Sequence, residues 1–251
     1  MPIALLTDFG RQDPYVGVMK GVVLSFCPQA VIVDLCHEVP PQDVDAAAFF
    51  LRASAPYFPQ GTLFVCVVDP GVGSGRRILW ARTARHRFLA PDNGLLGWLK
   101  APLLEVRSVE DRGLFLPEVS ATFHGRDIFA PVAGRLAQGL PPGRLGPRIQ
   151  VYERRPFPVP RKSARGVSGR ILLVDRFGSA VTNLAAEHLG SAKFVSFKGR
   201  RLPLRSHYAQ AKPLEPLAII GSSGCLELAL RGGDFSRAFK ARPGDEVHAR
   251  D

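Results

Sequence analysis

Apolar and polar positions alternate along the first 150 residues at two spacings. Short, nearly continuous apolar runs at 3–6, 31–35, 62–68, 78–84 and 87–90 predict strands. The longer stretches 16–26, 42–55, 94–99 and 127–138 predict helices. In the second of these, Val44, Ala47, Ala48 and Leu51 share one face at helical spacing, and Pro41 stands just ahead of it, as at a helix start. Strand–helix alternation of this kind predicts an α/β unit with a mostly parallel central sheet. Prolines 141, 142, 147, 156, 158 and 160 then crowd into an extended stretch over 141–168. Beyond it the pattern changes to short strands and turns, at 170–174, 193–197, 217–220, 225–230 and 246–249, which predicts a smaller all-β, barrel-like unit. The expected organisation is an α/β domain over 1–150, a Pro-rich linker over 151–168 and a β-barrel-like domain over 169–251. No internal repeat or low-complexity tract interrupts it.

A chain of 251 residues with 46% hydrophobic content can bury a sizeable core. No apolar run approaches the length of a membrane span, so no membrane partner is expected. The amino terminus enters a strand with no basic segment before it, so no signal peptide is expected. Cys27, Cys36, Cys66 and Cys225 have no C-x-x-C spacing and lie among apolar residues, which predicts reduced thiols in a cytoplasmic protein. The net charge of +11 raises the question of nucleic acid. The basic residues are spread out, however. The densest group, Arg154, Arg155, Arg161, Lys162 and Arg165, sits among prolines with no zinc spacing, helix-turn-helix pattern or aromatic RNA-binding strand beside it. No nucleic-acid partner is expected.

The candidate chemistry lies at the ends of the apolar runs. Residues 62–68 end in Asp69-Pro70-Gly71-Val72-Gly73-Ser74-Gly75-Arg76-Arg77, an acid followed by a glycine loop. Open α/β sheets place ligands beyond strand ends of this kind, where glycine lets the backbone come close. Residues 3–6 likewise lead into Thr7-Asp8-Phe9-Gly10, and Thr122-Phe123-His124-Gly125-Arg126-Asp127 repeats the mixture later. Asp8, Asp69, Arg76 and His124 are therefore the candidate site residues. Asp8-Phe9-Gly10 is not the kinase triplet, because no kinase catalytic loop or strand lysine accompanies it. Asp8 could instead cap the next helix. The glycines at 71, 73 and 75 lack dinucleotide-fingerprint spacing and precede a strand rather than a helix. His124 taken alone reads more readily as a satisfied turn histidine than as a catalyst, and gains weight from Arg126 and Asp127 beside it; His37 reads as structural. Asp92-Asn93-Gly94 is a turn signal that serves a ligand or caps the following helix. Gly221-Ser222-Ser223-Gly224 can form an anion-binding nest or a plain hairpin turn.

Together these fragments resemble a known family. Thr7-Asp8-Phe9-Gly10, Met19-Lys20-Gly21, Val39-Pro40-Pro41-x-Asp43 and Tyr57-Phe58-Pro59-x-Gly61-Thr62 are followed by Asp69-Pro70-Gly71-Val72-Gly73, Pro91-Asp92-Asn93-Gly94-Leu95 and Phe123-His124-Gly125-Arg126-Asp127. Asp175-x-Phe177-Gly178 with Thr182-Asn183, and Gly221-Ser222-x-Gly224-x-Leu226-Glu227, complete the series. In that order they resemble the S-adenosyl-L-methionine hydroxide adenosyltransferases, relatives of the fluorinase and chlorinase enzymes, over almost the whole chain.

The resemblance implies hydrolysis of S-adenosylmethionine to adenosine and methionine by attack of water or hydroxide at C5′, with no cofactor or metal. It implies catalytic roles for Asp69, Arg76 and His124. It also implies that Asp8 takes the ribose hydroxyls and that Asp13 and Asp175 lie near the methionine end. Ser222, Ser223 and Glu227 would line the substrate site, Tyr208 would stack on adenine, and the backbone from Leu230 to Gly232 would meet the adenine edge. Ser179 stands where many relatives carry an asparagine that reaches adenine; serine would reach less far or act through a water. A homotrimer is implied, with substrate between the amino-terminal domain of one subunit and the carboxy-terminal domain of the next. The halogenating branch lacks the Asp-Pro-Gly-Val-Gly stretch, so retention of Asp69 and Arg76 favours water over halide. A halide adenosyltransferase and a non-catalytic S-adenosylmethionine- or adenosine-binding protein are the alternatives.

Overall fold

The computed structural model describes residues 1–163 and 166–249; Arg165 of the basic group lies outside the described residues. The chain divides into two compact units, Met1–Phe157 and Pro158–Asp251.

The first unit is built on a six-stranded sheet of β1 (Ile3–Thr7), β2 (Ile32–Cys36), β3 (Leu63–Val67), β4 (Ile78–Arg82), β5 (Arg87–Pro91) and β6 (Glu105–Ser108), in the order β2-β1-β3-β5-β4-β6. Strands β2, β1, β3 and β5 are parallel, and β4 runs against both of its neighbours. Helices α1 (Tyr15–Phe26), α2 (Val44–Ser54) and α3 (Ala130–Ala137) cover it. Successive side chains of a strand point to opposite faces. Ile3, Leu5, Leu63 and Val65 accordingly pack with Met19 and Val23 of α1 and Val132 and Ala133 of α3, whereas Ala4, Leu6, Phe64 and Cys66 pack with Ala47 and Leu51 of α2. Both faces of β1 and β3 are therefore dry, which is why these strands read as continuous apolar runs rather than alternating ones.

The chain leaves β1 for β2 on one side and leaves β3 for β4 on the other. The carboxyl ends of β1 and β3 thus flank a topological switch point, where an open α/β sheet forms a crevice.

The second unit contains β7 (Arg161–Ser163), β8 (Gly166–Val174), β9 (Ala180–Ala185), β10 (Phe194–Phe197), β11 (Arg200–Arg205), β12 (Pro216–Ile220), β13 (Cys225–Leu230), the short α4 (Phe235–Phe239) and β14 (Glu246–Ala249). Pairing runs β14-β10-β11-β12-β13-β9-β8, and β14 also pairs with β8, so these strands close a barrel, with β7 added beside β8. Closure removes the unpaired edges that an open sheet exposes. Its interior holds Ile171, Leu184, Phe197, Leu202, Leu226, Leu228 and Val247, with Phe235 of α4 fully buried among them. Residues 151–160 carry no regular element, and Arg161–Ser163 and Gly166–Val174 are strands.

The expected 94–99 helix is a single 3-10 turn, Leu95–Trp98, and the expected 127–138 helix begins as a π-helical turn, Gly125–Phe129, that passes into α3. The sequence reading missed β6, β7, β9 and β11. Arg200–Arg205 shows why: only Leu202 is buried, and the remaining positions are charged, exposed or half-exposed. Among the described residues, no helix is long and apolar enough to cross a membrane.

Candidate active site

Thr7 at the end of β1 pairs in register with Val67 at the end of β3, so Asp8 and Asp69 leave the sheet at one edge. Asp69 opens the loop 69–77, which leads from β3 past the end of β5 to β4. Gly73 within it has φ +78, and a Cβ there would lie 2.3 Å from the Ala121 carbonyl oxygen. Only glycine combines that backbone with that approach. The contact sets the loop against the segment that ends at His124.

Arg76 folds back onto Asp69. Its Nε donates to Oδ1 at 2.8 Å and Nη2 donates to Oδ2, a bidentate pair. The same Nη2 lies 3.1 Å from His124 Nδ1. The Asp69 and Arg76 side chains are only 5% and 10% exposed, so the pair works in a medium of reduced dielectric. A guanidinium can only donate, so Nδ1 is the acceptor and a neutral His124 carries its proton on Nε2. Burial first, and then the Arg76 cation, hold His124 below its ordinary value; Asp69 and Asp127 partly oppose them.

His124 immediately precedes the π-helical turn, an irregularity frequent at functional sites. Asp127 in that turn is fully buried. Its carboxylate accepts from Ser120 N at 2.8 Å and from Arg126 Nε at 2.5 Å, tying together both ends of the segment that carries His124. Burial pushes the Asp127 carboxyl upward, but these bonds outweigh it and hold the group below its usual range.

Asp8, Asp69 and His124 line a single cavity of about 340 Å³. Its wall includes Phe9, Tyr15 and Phe123, three rings with centroids 5.1 to 5.8 Å apart. The size suits a small-molecule site. Asp8 Oδ2 accepts from Gln42 N at 2.8 Å. It does not cap α1, whose N-cap is Pro14 with no side-chain bond, so the capping alternative for Asp8 does not hold. Asp13 is exposed ahead of α1 and is not among the lining residues. His37 is structural: its Nδ1 lies 2.9 Å from Thr7 Oγ1 and its Nε2 3.0 Å from Asp34. Sequence reasoning gave no role to Tyr15 or to the Gln42 amide. Phe9 and Phe123 lay inside the motifs it used.

The remaining candidates gather in the barrel unit. Asp175 Oδ1 accepts from Phe177 N and Ser179 N at 2.9 and 2.8 Å, closing the β8–β9 turn. Tyr208 donates its hydroxyl to Glu227 Oε2 at 3.2 Å. A Cβ on Gly221 would lie 1.7 Å from Glu227 Oε1, so glycine there makes room for the carboxylate beside the Ser222–Ser223 loop. Burial, with Glu227 and Asp175 nearby, pushes the Tyr208 hydroxyl up to about 12. Burial and then Asp175 raise Glu227, against the Tyr208 hydrogen bond. Leu230 stands apart, its side chain packed on the barrel core. A wider groove on the barrel, about 1010 Å³ and lined by Lys193, Lys198 and His248, contains none of the candidate residues.

Two family models match this chain: the SAM hydroxide adenosyltransferase N-terminal domain over residues 3–146 and the SAM hydroxide adenosyltransferase C-terminal domain over residues 169–248. A protein of Thermus thermophilus named (R)-S-adenosyl-L-methionine hydrolase is 41% identical across 98% of each chain. One of the same name from Salinispora tropica is 37% identical across 98% of this chain and 96% of its own. Proteins named fluorinase match at 26 to 28% identity. A solved structure, an uncharacterized conserved protein from Thermotoga maritima, superposes with a TM-score of 0.91 at 36% identity over 98% of both chains.

Proposed function

Because the chain belongs to the S-adenosyl-L-methionine hydroxide adenosyltransferase family, we infer that it is an enzyme that hydrolyses S-adenosyl-L-methionine to adenosine and L-methionine. The observation that carries the mechanism is the Arg76 guanidinium, bonded to both Asp69 and His124, the two residues of the set that line the cavity. In the reaction a water oxygen forms a bond to C5′ as the C5′–S bond breaks. The bonding pair leaves with sulfur, and the sulfonium becomes the neutral thioether of methionine. The leaving group thus needs no metal or cofactor to activate it, and the protein's task is to hold water in line and take its proton.

The geometry divides that task. With Nδ1 occupied by Arg76, neutral His124 offers an Nε2 hydrogen to the water oxygen. Asp69 keeps acceptor capacity beyond its two bonds to Arg76 and is the group that receives the proton. Arg76 stabilises the charge that develops on the nucleophile. Asp8 binds the ribose hydroxyls. Asp13, Asp175, Ser179, Tyr208, Ser222, Ser223, Glu227 and the Leu230 backbone serve the rest of the substrate. The test is incubation with S-adenosylmethionine, with and without chloride and chelator, and chromatography of the products. Adenosine and methionine are expected, in amounts that chelator does not change. Methylthioadenosine or 5′-chloroadenosine as the main product rejects the reading.

The lowered His124 value sets a pH dependence. A histidine held below its ordinary 6.5 stays neutral as pH falls through that value and gains its proton only lower down. The kcat/KM of the free enzyme is therefore expected to hold through 6.5 and to fall only below it. An acid limb centred above 6.5 would show that neutral His124 is not the working form.

The enzyme is further proposed to act as a homotrimer in the cytoplasm. Supporting the trimer, the water-holding residues belong to the α/β unit while Asp175, Tyr208 and Glu227 belong to the barrel unit, and Phe177 and Tyr208 are exposed aromatics there. In the assembly one subunit supplies the first set and its neighbour the second. Light scattering is expected to give a mass three times that of one chain. A monomer that turns over at full rate would remove the shared site. Supporting the location, Cys27, Cys36 and Cys66 form no disulfide.

A further inference from the structure

The Pro91-Asp92-Asn93-Gly94 turn is a sequence signal that the chemistry above leaves unused, and it lies against the catalytic loop. We propose that Asn93 and Asp92 are positioning residues that clamp the two ends of loop 69–77 and thereby hold Asp69 and Arg76 in register with His124. The word catalytic here rests on the function proposed above; the clamp itself rests on geometry.

Topology creates the need. Strand β5 lies between β3 and β4, so the chain leaving β3 must pass the carboxyl end of β5 before it can enter β4. The turn that ends β5 is therefore the nearest anchor for both flanks of the loop. Asn93 Nδ2 donates to the Val68 carbonyl at 2.9 Å, and Val68 immediately precedes Asp69. At the other flank, Arg77 Nε and Nη2 donate to Asp92 Oδ2 at 3.0 and 2.7 Å, and Asp92 N donates to the Arg77 carbonyl at 2.9 Å; Arg77 immediately follows Arg76. The turn is itself held. Asn93 Oδ1 accepts from Leu95 N at 3.3 Å, Asp92 Oδ1 accepts from Glu153 N at 2.7 Å, and the Asp92 side chain is only 7% exposed. Between the anchors stand Gly71, Gly73 and Gly75, whose backbones have more freedom than any other residue and do not fix a geometry by themselves. The two residues that must keep their place, Asp69 and Arg76, are each one position from an anchor.

Neither Asn93 nor Asp92 lines the cavity, so their effect on turnover passes through Asp69 and Arg76. Asn93→Asp tests this with almost no change in shape: it keeps the acceptor for Leu95 N and removes the donor to Val68. A displacement near 1 Å at a reacting centre costs on the order of 100-fold. Asn93→Asp is expected to lower kcat by roughly 10- to 100-fold with KM within about twofold, because transition-state geometry is lost rather than substrate binding. In an Asp69→Asn background the same change should cost little more, because both act through one group. Losses that multiply in the double variant overturn the proposal. Arg77→Gln releases the other flank and serves if Asn93→Asp does not fold.

A second readout needs no substrate. His124 is faced by Arg76, Asp69 and Asp127, and its titration followed by NMR reports their placement. Asn93→Asp and Arg77→Gln each change the local charge, so this readout uses the uncharged Asn93→Leu, for which the clamp predicts a shifted midpoint relative to the unaltered enzyme. If the unaltered enzyme fails to cleave S-adenosylmethionine, the proposed function falls and the titration alone decides the clamp. A folded variant whose His124 midpoint is unchanged overturns it.

Discussion

Asp69→Asn and Arg76→Ala are each expected to lower turnover by roughly 10² or more, the scale for a positioned proton acceptor and a charge-stabilising donor. Asparagine keeps the shape of Asp69 but accepts no proton, and it turns an NH₂ group toward the guanidinium. Arg76→Ala removes the donor to both Asp69 and His124 and leaves the Asp69 carboxylate, 5% exposed, without its counter-ion. Breaking a buried pair from one side commonly costs about 3–5 kcal/mol, and Asp69→Asn likewise leaves the Arg76 guanidinium, 10% exposed, without its counter-ion, so both variants should also melt at lower temperature. Measuring kcat, KM and thermal midpoint separates the two effects. Substrate affinity should fall less than turnover in both. Full turnover by Asp69→Asn would remove Asp69 as the proton acceptor.

Gly73→Val is expected to abolish most activity without touching a charged residue. The position has φ +78, where a β-branched side chain is strained, at a cost of order 1–3 kcal/mol. Its Cβ would also meet the Ala121 carbonyl oxygen at 2.3 Å, and neither backbone can yield without moving loop 69–77 away from the segment bearing His124. The 3.1 Å contact between Arg76 and His124 would open. A fall in turnover on the order of 100-fold should accompany the loss of stability. Gly75→Ala is the matched comparison in the same loop. Its φ is not positive and a Cβ there meets nothing within 4 Å, so stability and turnover should stay close to the original. If Gly73→Val behaves like Gly75→Ala, close packing of the loop on Ala121 is not what assembles the site.

Much of the site was legible because its acids follow strands buried on both faces. Continuous apolar runs announced β1 and β3, and Asp8 and Asp69 stand where those runs stop. The glycines marked a loop that bends tightly, and the ordered motifs pointed to the family. The roles of Asp92 and Asn93 were not legible. A turn signal describes backbone conformation and does not say which carbonyl a side chain will reach. Asn93 bonds a residue 25 positions away.

Periodicity alone carried β1 to β5 and the three α-helices of the α/β unit, though not β6, together with the change to an all-β pattern beyond the prolines and the residue types available for catalysis. These depend on local periodicity and composition, which each segment carries alone. The packed fold alone puts β5 between β3 and β4, returns the last barrel strand to β8, and brings Arg76 to His124 across 48 positions of chain. It also makes Arg200–Arg205, in which only Leu202 is buried, a barrel strand. One cause underlies all of these. Periodicity records which side of a segment is buried, whereas pairing order and long-range contacts depend on which segments bury one another, and that is settled only when the whole core packs.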